Sequence, residues 1–356
     1  MKAKLNNREQ KVLWATINHY IATAEPVGSK VLVNEYDFKI SPATIRNVMG
    51  ALDRSGFLYQ PHTSAGRVPS NSGYRIYVDE LISPNSLQAE TASRILLQRT
   101  ELIGRQSLEI MLHNLTQILA TLTGCIALIT APSGRMARIK HIQLVPVDDR
   151  KVMAIAISDS YDTVSVLMDL PPELSSKTLE SELQTISNFI NSQIQDQNLA
   201  EFDYLLPWQE LDRQFLQYTD FIEESLKQLT SVCQTPAMGQ LFISGIREIL
   251  QQPEFNELSQ LQSVIEILEG ERDRLFPLIS QQSQPSLANA VSVKIGTEID
   301  LEAIQNCALI YCDYKYANTA VGSVGVLGPT RMNYENAIAS VEATASHLAE
   351  AIKLVS

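Results

Sequence analysis

Cysteine is scarce in this chain. Cys125, Cys233, Cys307 and Cys312 are spread irregularly over 356 residues. Four such thiols make no disulfide framework, so the chain reads as cytoplasmic with free cysteines. Histidine is almost as rare. His19, His62, His113, His141 and His347 nowhere meet a cysteine at zinc-ligand spacing, so no metal site is expected. Long apolar runs are missing as well. Nothing approaches the roughly 20 residues that span a bilayer, and Met1 to Gln10 lacks the apolar segment of a signal peptide. A membrane partner is therefore not expected. No Ser, His and acid motif, paired Cys and His, or metal triad appears. That leaves an enzyme only as an out-of-class alternative.

Positive charge is the last shortage. Twenty-eight Lys/Arg face 40 Asp/Glu, a net of −12. Spread evenly, that charge would argue against a nucleic-acid partner. It is not spread evenly. Residues 1–82 hold ten Lys/Arg and seven Asp/Glu, a net of +3, which leaves 18 and 33, a net of −15, for residues 83–356. A mildly basic head on an acidic body suits local contact with DNA, with the body repelled from the duplex. A chain of this length should hold two or three domains, each with its own core.

What is present centres on Ser41 to Tyr77. Ser41 suits an N-cap, and Pro42 suits the first helical position, where no amide donor is needed. Ile45, Val48, Met49 and Leu52 then form one apolar stripe at i, i+3, i+4 and i+7. The opposite face carries Thr44, Arg46 and Asn47 in the first two turns. In helix-turn-helix proteins that part of the second helix meets base edges in the major groove. Arg and Asn are the side chains that contact guanine and adenine in bidentate fashion. Gly56 fits a left-handed cap, Phe57 to Gln60 a short strand, and Thr63 to Arg67 a turn with an arginine at its tip. The order of elements predicts a winged helix-turn-helix over residues 1–82. Arg46 and Asn47 are expected to read bases, Ser41 and Thr44 to bind near the helix N-terminus, and His62 and Arg67 to reach backbone or minor groove from the wing.

The rest of the head follows from similar signals. Asn7-Arg8-Glu9-Gln10 resembles a capping box with Asn7 as cap. It opens a helix with Leu13, Ile17, Tyr20 and Ile21 on one face, ending before Pro26. Val27 to Tyr36 is a short helix for which Ser29 is the candidate cap. Pro69 to Ile82 is a further helix whose Tyr74, Arg75 and Tyr77 suit either phosphate contact or packing under the wing.

Beyond the head, residues 83–92 read as a linker. A long helix over about 93–123 carries Leu108, Met111, Leu115, Ile118 and Leu122, a stripe for a coiled-coil-like seam or for packing on a sheet. Cys125 to Leu170 reads as an antiparallel meander. Residues 173–280 revert to helix, and strands return at Val291–Ile295, Ala308–Cys312 and Ala320–Val326. A final helix places Ile338, Val341, Ala345, Leu348 and Ile352 in a second stripe. A sheet interrupted by about a hundred helical residues suggests a multidomain α+β protein with an insertion.

Residues 25–79 resemble the N-terminal domain of the bacterial heat-inducible transcription repressor family. Glu25-Pro26-Val27-Gly28-Ser29, Ser41-Pro42-Ala43-Thr44-Ile45-Arg46-Asn47 and Thr63-Ser64-Ala65-Gly66-Arg67-Val68-Pro69, running on to Gly73-Tyr74-Arg75, carry the likeness. It continues at Gly325-Val326-Leu327-Gly328-Pro329-Thr330-Arg331-Met332. The resemblance implies a negative regulator of chaperonin operons, bound as a homodimer to an inverted-repeat operator in double-stranded DNA and kept active by the chaperonin. It also implies a GAF-like domain of antiparallel sheet, at 93–172 and 251–356, split by a mainly helical dimerisation domain at 173–250. GAF-like folds often bind small molecules, so an effector pocket among Ser158-Asp159-Ser160, Lys294, Tyr311, Tyr314 and Gly322–Gly328 is the alternative. No catalytic residue and no cofactor are expected.

Overall fold

The computed structural model describes residues 5–63, 65–82, 86–101, 108–132, 139–148, 150–158, 163–170, 179–194, 219–234, 240–256, 258–270, 272–279, 291–316 and 319–355. Three helices open the chain, α1 (Asn7–Thr23), α2 (Ser29–Glu35) and α3 (Pro42–Arg54). A two-stranded antiparallel hairpin of β1 (Leu58–Tyr59) and β2 (Val68–Pro69) follows, then α4 (Asn71–Ile76), which runs into a π-helical turn at Tyr77–Leu81. Next come α5 (Ser86–Glu101), α6 (Leu108–Thr123), β3 (Ile126–Thr130), β4 (Ile139–Asp148), β5 (Lys151–Ser158), β6 (Thr163–Asp169), α7 (Leu179–Ile194) and α8 (Thr219–Gln234). The remainder is β7 (Leu241–Ser244), α9 (Ile246–Ile249), α10 (Leu258–Gly270), α11 (Arg272–Ile279), β8 (Ser292–Ile295), β9 (Cys307–Tyr316), β10 (Thr319–Pro329) and α12 (Tyr334–Val355).

Two compact units share these elements. One takes Met1–Thr130, Leu241–Tyr314 and Ser323–Ala349, the other Ala131–Gln240, Lys315–Gly322 and Glu350–Ser356. The first holds a five-stranded sheet in the order β7-β3-β10-β9-β8. Its strand β3 is antiparallel to both neighbours, with Ile129 opposite Val324 and Leu128 opposite Ile243. All five residues of β3 are buried, as expected of a strand covered on both faces. Helix α6 packs across β3 and β7, while Ile126 and Leu128 join Val264, Ile267 and Leu275 of α10 and α11 in the opposite core. Burial pushes the thiols of Cys125 and Cys307 up to about 12. They are packing residues, not nucleophiles.

The second unit has its own core. Strands β4, β5 and β6 form a three-stranded antiparallel sheet, and Ile142, Leu144, Val152, Ala154 and Met168 bury against Leu183, Ile186, Ile190, Ile222 and Leu229 of α7 and α8. The free edge of β4 is closed by polar side chains of α7. Ser187 Oγ accepts from the Leu144 amide at 2.9 Å, and Asn191 takes both the amide and the carbonyl of Ile142, at 2.7 and 2.8 Å. A blunted edge of this kind does not recruit another strand.

Several expectations need correction. The apolar strands of 125–170 do not make one meander, because β3 belongs to the five-stranded sheet and β4–β6 to a separate one. The second compact unit takes Ala131–Gln240 together with Lys315–Gly322 and Glu350–Ser356, a wider stretch than the 173–250 expected for the insertion. Local periodicity identifies a strand but not its partners, which are chosen by contacts far away in sequence. The expected linker at 83–92 is shorter, since α5 already begins at Ser86. Helix α6 buries Leu112, Leu115, Thr116 and Leu119, so of the expected stripe Leu108, Met111, Leu115, Ile118 and Leu122 only Leu115 is fully buried and the other four are half-buried. The capping box lies one residue earlier, with Asn6 as cap and Glu9 reaching back to the Asn6 amide at 2.9 Å. Ser29 is a buried first-turn residue, and the cap of α2 is Gly28, whose backbone alone does the capping.

Candidate nucleic-acid interface

Helix α3 is held at both ends by its own sequence. Ser41 Oγ accepts from the Thr44 amide at 3.2 Å and lies 2.9 Å from the Thr44 hydroxyl. At the other end Gly56 takes φ +77°. Its amide reaches the Asp53 carbonyl and the Phe57 amide reaches the Leu52 carbonyl, both at 2.9 Å, the paired bonds of a Schellman stop. Ile45, Met49 and Leu52 are buried and Val48 is half-buried. Rotation by the helical period therefore leaves Ala43, Arg46 and Asn47 exposed on the outer face. Arg46 and Asn47 are thus carried by a helix that cannot turn them inward. Pro42 has no amide and the Thr44 amide is taken by Ser41 Oγ, so at this end the Ala43 amide and the helix dipole are what favour an anion such as a phosphate. The structure adds Lys39, exposed two residues before the cap, which residue patterning had left unmarked.

The hairpin is tied back to α2 and α3. Val27 and Arg67 exchange two backbone hydrogen bonds at 2.9 Å. A side chain at Gly66 would lie 2.4 Å from the Val27 carbonyl oxygen, so only glycine permits this approach. Arg67 is therefore at the root of the hairpin and not at its tip. Its Nε lies 2.8 Å from Asp53 Oδ2 on α3; it is placed for charge attraction and not for an aligned hydrogen bond. The loop itself carries exposed His62, and Gln60 braces it by donating to the carbonyls of Thr63 and Ala65, each at 2.9 Å. Ser64 lies outside the described residues.

Tyr74, Arg75 and Tyr77 resolve in favour of packing. Both tyrosines are buried, with rings 5.8 and 6.4 Å from that of Tyr334. Burial raises the phenol of Tyr74 well above its ordinary value. Arg75 binds Glu298 and the Val293 carbonyl. Residues of the head and of the C-terminal block thus meet inside one unit.

Comparison with known proteins bears on this arrangement. A family model described as the HrcA protein C-terminal domain matches residues 109–338. The heat-inducible transcription repressor HrcA of Trichormus variabilis is 48% identical over 99% of this chain and 100% of its own length. That of Nostoc punctiforme is 48% identical over 99% and 98%. The chain belongs to the HrcA family of heat-inducible transcription repressors. A crystal structure described as a hypothetical protein, 22% identical, shares the fold with a TM-score of 0.61 and covers 99% of this chain and 100% of its own. The family model leaves out residues 1–108, whereas the full-length HrcA relatives span them.

Two of the tyrosines weighed for an effector site are committed to packing. Tyr311 is part of the core, and the Tyr314 hydroxyl donates to the Thr130 carbonyl at 2.7 Å. The Gly322–Gly328 segment is strand β10, where Gly325 lets the sheet approach Ile310 and Tyr311. Asp159 and Ser160 lie outside the described residues. A cavity of about 230 Å³ borders Phe255, Val264, Glu302, Asn306 and Cys307, below the usual ~300–1,000 Å³ of ligand pockets. Among the described residues no group of three His, Cys, Asp or Glu is placed to hold a metal ion. No helix among them is long and apolar enough to cross a membrane.

Proposed function

We propose that this chain represses heat-shock chaperone operons by gripping an inverted-repeat operator as a homodimer. In this reading residues 5–82 are a winged helix-turn-helix and the five-stranded sheet with its helices is GAF-like. The carrying observation is the exposed pair Arg46 and Asn47 on the first two turns of a helix capped at both ends. Their side chains match guanine and adenine edges, and Ser41, Thr44 and Lys39 lie where a phosphate would rest on the helix N-terminus. His62 approaches the backbone from the wing, and Arg67 contributes by holding the wing on α3. DNA as partner puts the protein in the cytoplasm.

A single small head buries too little surface for tight specific binding, and an inverted repeat asks for a two-fold protein. The inserted unit supplies a candidate face. Val145, Met153 and Leu167 line up across the outer side of the three-stranded sheet, and Val147, at the irregularity between Pro146 and Asp148, is 52% exposed. Apolar faces of that kind are seldom left to solvent in monomers, and the occupant proposed is the same face of a second copy. This shifts the dimer contact from the helices of the insertion, which are committed to its core, to its sheet. Release on heating follows the family's chaperonin link. A repressor whose inactive state lies only a few kcal/mol above the active one loses activity when chaperonin is diverted to damaged proteins.

The test is a footprint on the promoter of the chaperonin genes of the source organism. Protection of an inverted repeat by the parent, lost in Arg46→Ala, is expected. Equal protection by both proteins would sink the assignment of α3. Purified repressor should also lose binding on mild warming and regain it with chaperonin and ATP, a recovery that cooling alone does not give.

A further inference from the structure

The reading head is fastened to the core by arginines that lie far from the exposed face of α3. Arg331, in the segment between β10 and α12, donates from Nη1 to the Ile21 carbonyl at 3.0 Å. That carbonyl is in the last turn of α1, where orphan acceptors collect, and α1 has no basic residue of its own there. The guanidinium is anchored on the core side by Glu254 and by Gln252 Oε1 at 2.9 Å, and the side chain is only 12% exposed. A second fastening lies on α4. Arg75 donates to the Val293 carbonyl on β8 at 2.7 Å and to Glu298 Oε1 at 3.0 Å, while Glu298 also accepts from the Ile295 amide at 2.9 Å. The rings of Tyr74 and Tyr77, tilted and edge-on against that of Tyr334, complete the contact.

We infer that Arg331 and Arg75 are positioning residues for operator recognition, fixing the angle at which each head leaves its core. The argument is geometric. One tether would leave a head free to swivel, whereas one clamp on α1 and another on α4 remove that freedom. A greasy contact tolerates sliding, but a guanidinium moved by an ångström leaves its carboxylate and carbonyl partners unpaired in a half-buried place. In a two-fold assembly each head inherits its orientation from its core, so the clamps select the half-site spacing that two α3 helices can meet at once. Neither arginine needs to touch DNA. The clamps also give the core a direct hold on the reading face, since loosening of the segments at 252–254, 293–298 or 331 releases the head without unfolding it.

The inference rests on the operator-binding reading and is tested on the full-length protein with three duplexes. These are the footprinted repeat, the same repeat with two base pairs added at its centre, and a single half-site. The parent should prefer the native repeat strongly. Arg331→Met and Arg75→Met should each weaken the native repeat about tenfold or more, with half-site affinity held within about twofold. Both should also shrink the penalty for the added base pairs, and Arg331→Lys, which keeps the charge and a donor, should restore part of the preference. Equal weakening of repeat and half-site would mean damage to the head itself and would overturn the inference, as would parental affinities on all three duplexes. If Arg331→Met does not fold, Arg75→Met and Glu298→Gln decide the same ratio. A parent that binds none of the duplexes above random DNA counts against the operator reading instead.

Discussion

Two exposed surfaces among the described residues differ in kind. The outer face of α3 shows Arg46 and Asn47, side chains that specify hydrogen-bond partners and lose little by waiting in water. The outer face of the three-stranded sheet shows Val145, Val147 and Leu167, 38%, 52% and 49% exposed, side chains that gain only by being covered. A helix built for a polar ligand needs its geometry held in advance, and α3 has a cap at each end. A face built for an apolar partner needs only register across the strands, and Val145, Met153 and Leu167 share it. On the function proposed above, the difference separates reading from assembly, so variants on one surface should leave the other's job intact.

The sharpest break should come from the sheet. Val145→Asp combined with Leu167→Asp puts two charges where the copies would meet, and like charges across a two-fold face repel. The variant should sediment as a folded monomer. Its affinity for the inverted repeat should fall on the order of 100-fold or more, because the second head no longer binds intramolecularly, while half-site affinity stays at the parental level. A variant that still sediments as a dimer would move the interface off this sheet.

The reverse experiment is milder. Arg46→Ala should cost ~1–3 kcal/mol at the operator and relax the preference at one base position, with sedimentation unchanged. Loss of dimerisation in Arg46→Ala would deny that the two surfaces are independent.

How legible each surface was in the sequence follows the same division. Helix α3 was readable because every signal is local. Its cap, its first-turn proline, its stripe and its terminal glycine lie within sixteen residues of one another. The strands of 125–170 read as one meander because β3 and β5 look alike as apolar runs, and only pairing with Leu241–Ser244 and Val324–Leu327 draws β3 into the other sheet. Helix α6 is apolar on much of its circumference, so more than one stripe fits it, and contact with β3 and β7 decides which is buried. Arg331 and Arg75 stood out within quoted motifs, yet their partners lie 310 and 223 residues away at Ile21 and Glu298. No spacing rule links residues at such distances.

A smaller effect is expected at the cap of α3. Ser41→Ala removes the acceptor of the Thr44 amide and should lower the stability of the folded head by ~1 kcal/mol, read from chemical unfolding. Ser41→Asp keeps the acceptor and should restore stability. It also adds a negative charge beside the expected phosphate, so its operator affinity should stay low. Stability and affinity that recover together would mean that no phosphate rests at this helix end.

The smallest effect separates a brace from a grip at Arg67. Its guanidinium faces Asp53 at 2.8 Å, with the two side chains 23% and 32% exposed. A partly exposed pair of this kind contributes up to ~1 kcal/mol, here toward holding the hairpin on α3. Arg67→Ala should therefore weaken operator and random DNA alike by a few-fold, without the change of about 1 in salt slope that a lost phosphate contact brings. Asp53→Ala decides the matter by sign. If Arg67 is a brace, removing Asp53 frees the hairpin just as removing Arg67 does, and DNA affinity falls. If Arg67 instead leaves Asp53 to grip phosphate, removing that carboxylate abolishes a competitor and a repelling charge, and affinity rises. Titration of both variants over a range of salt concentrations measures the two quantities together. A rise in affinity for Asp53→Ala with a steeper salt dependence would return Arg67 to the DNA.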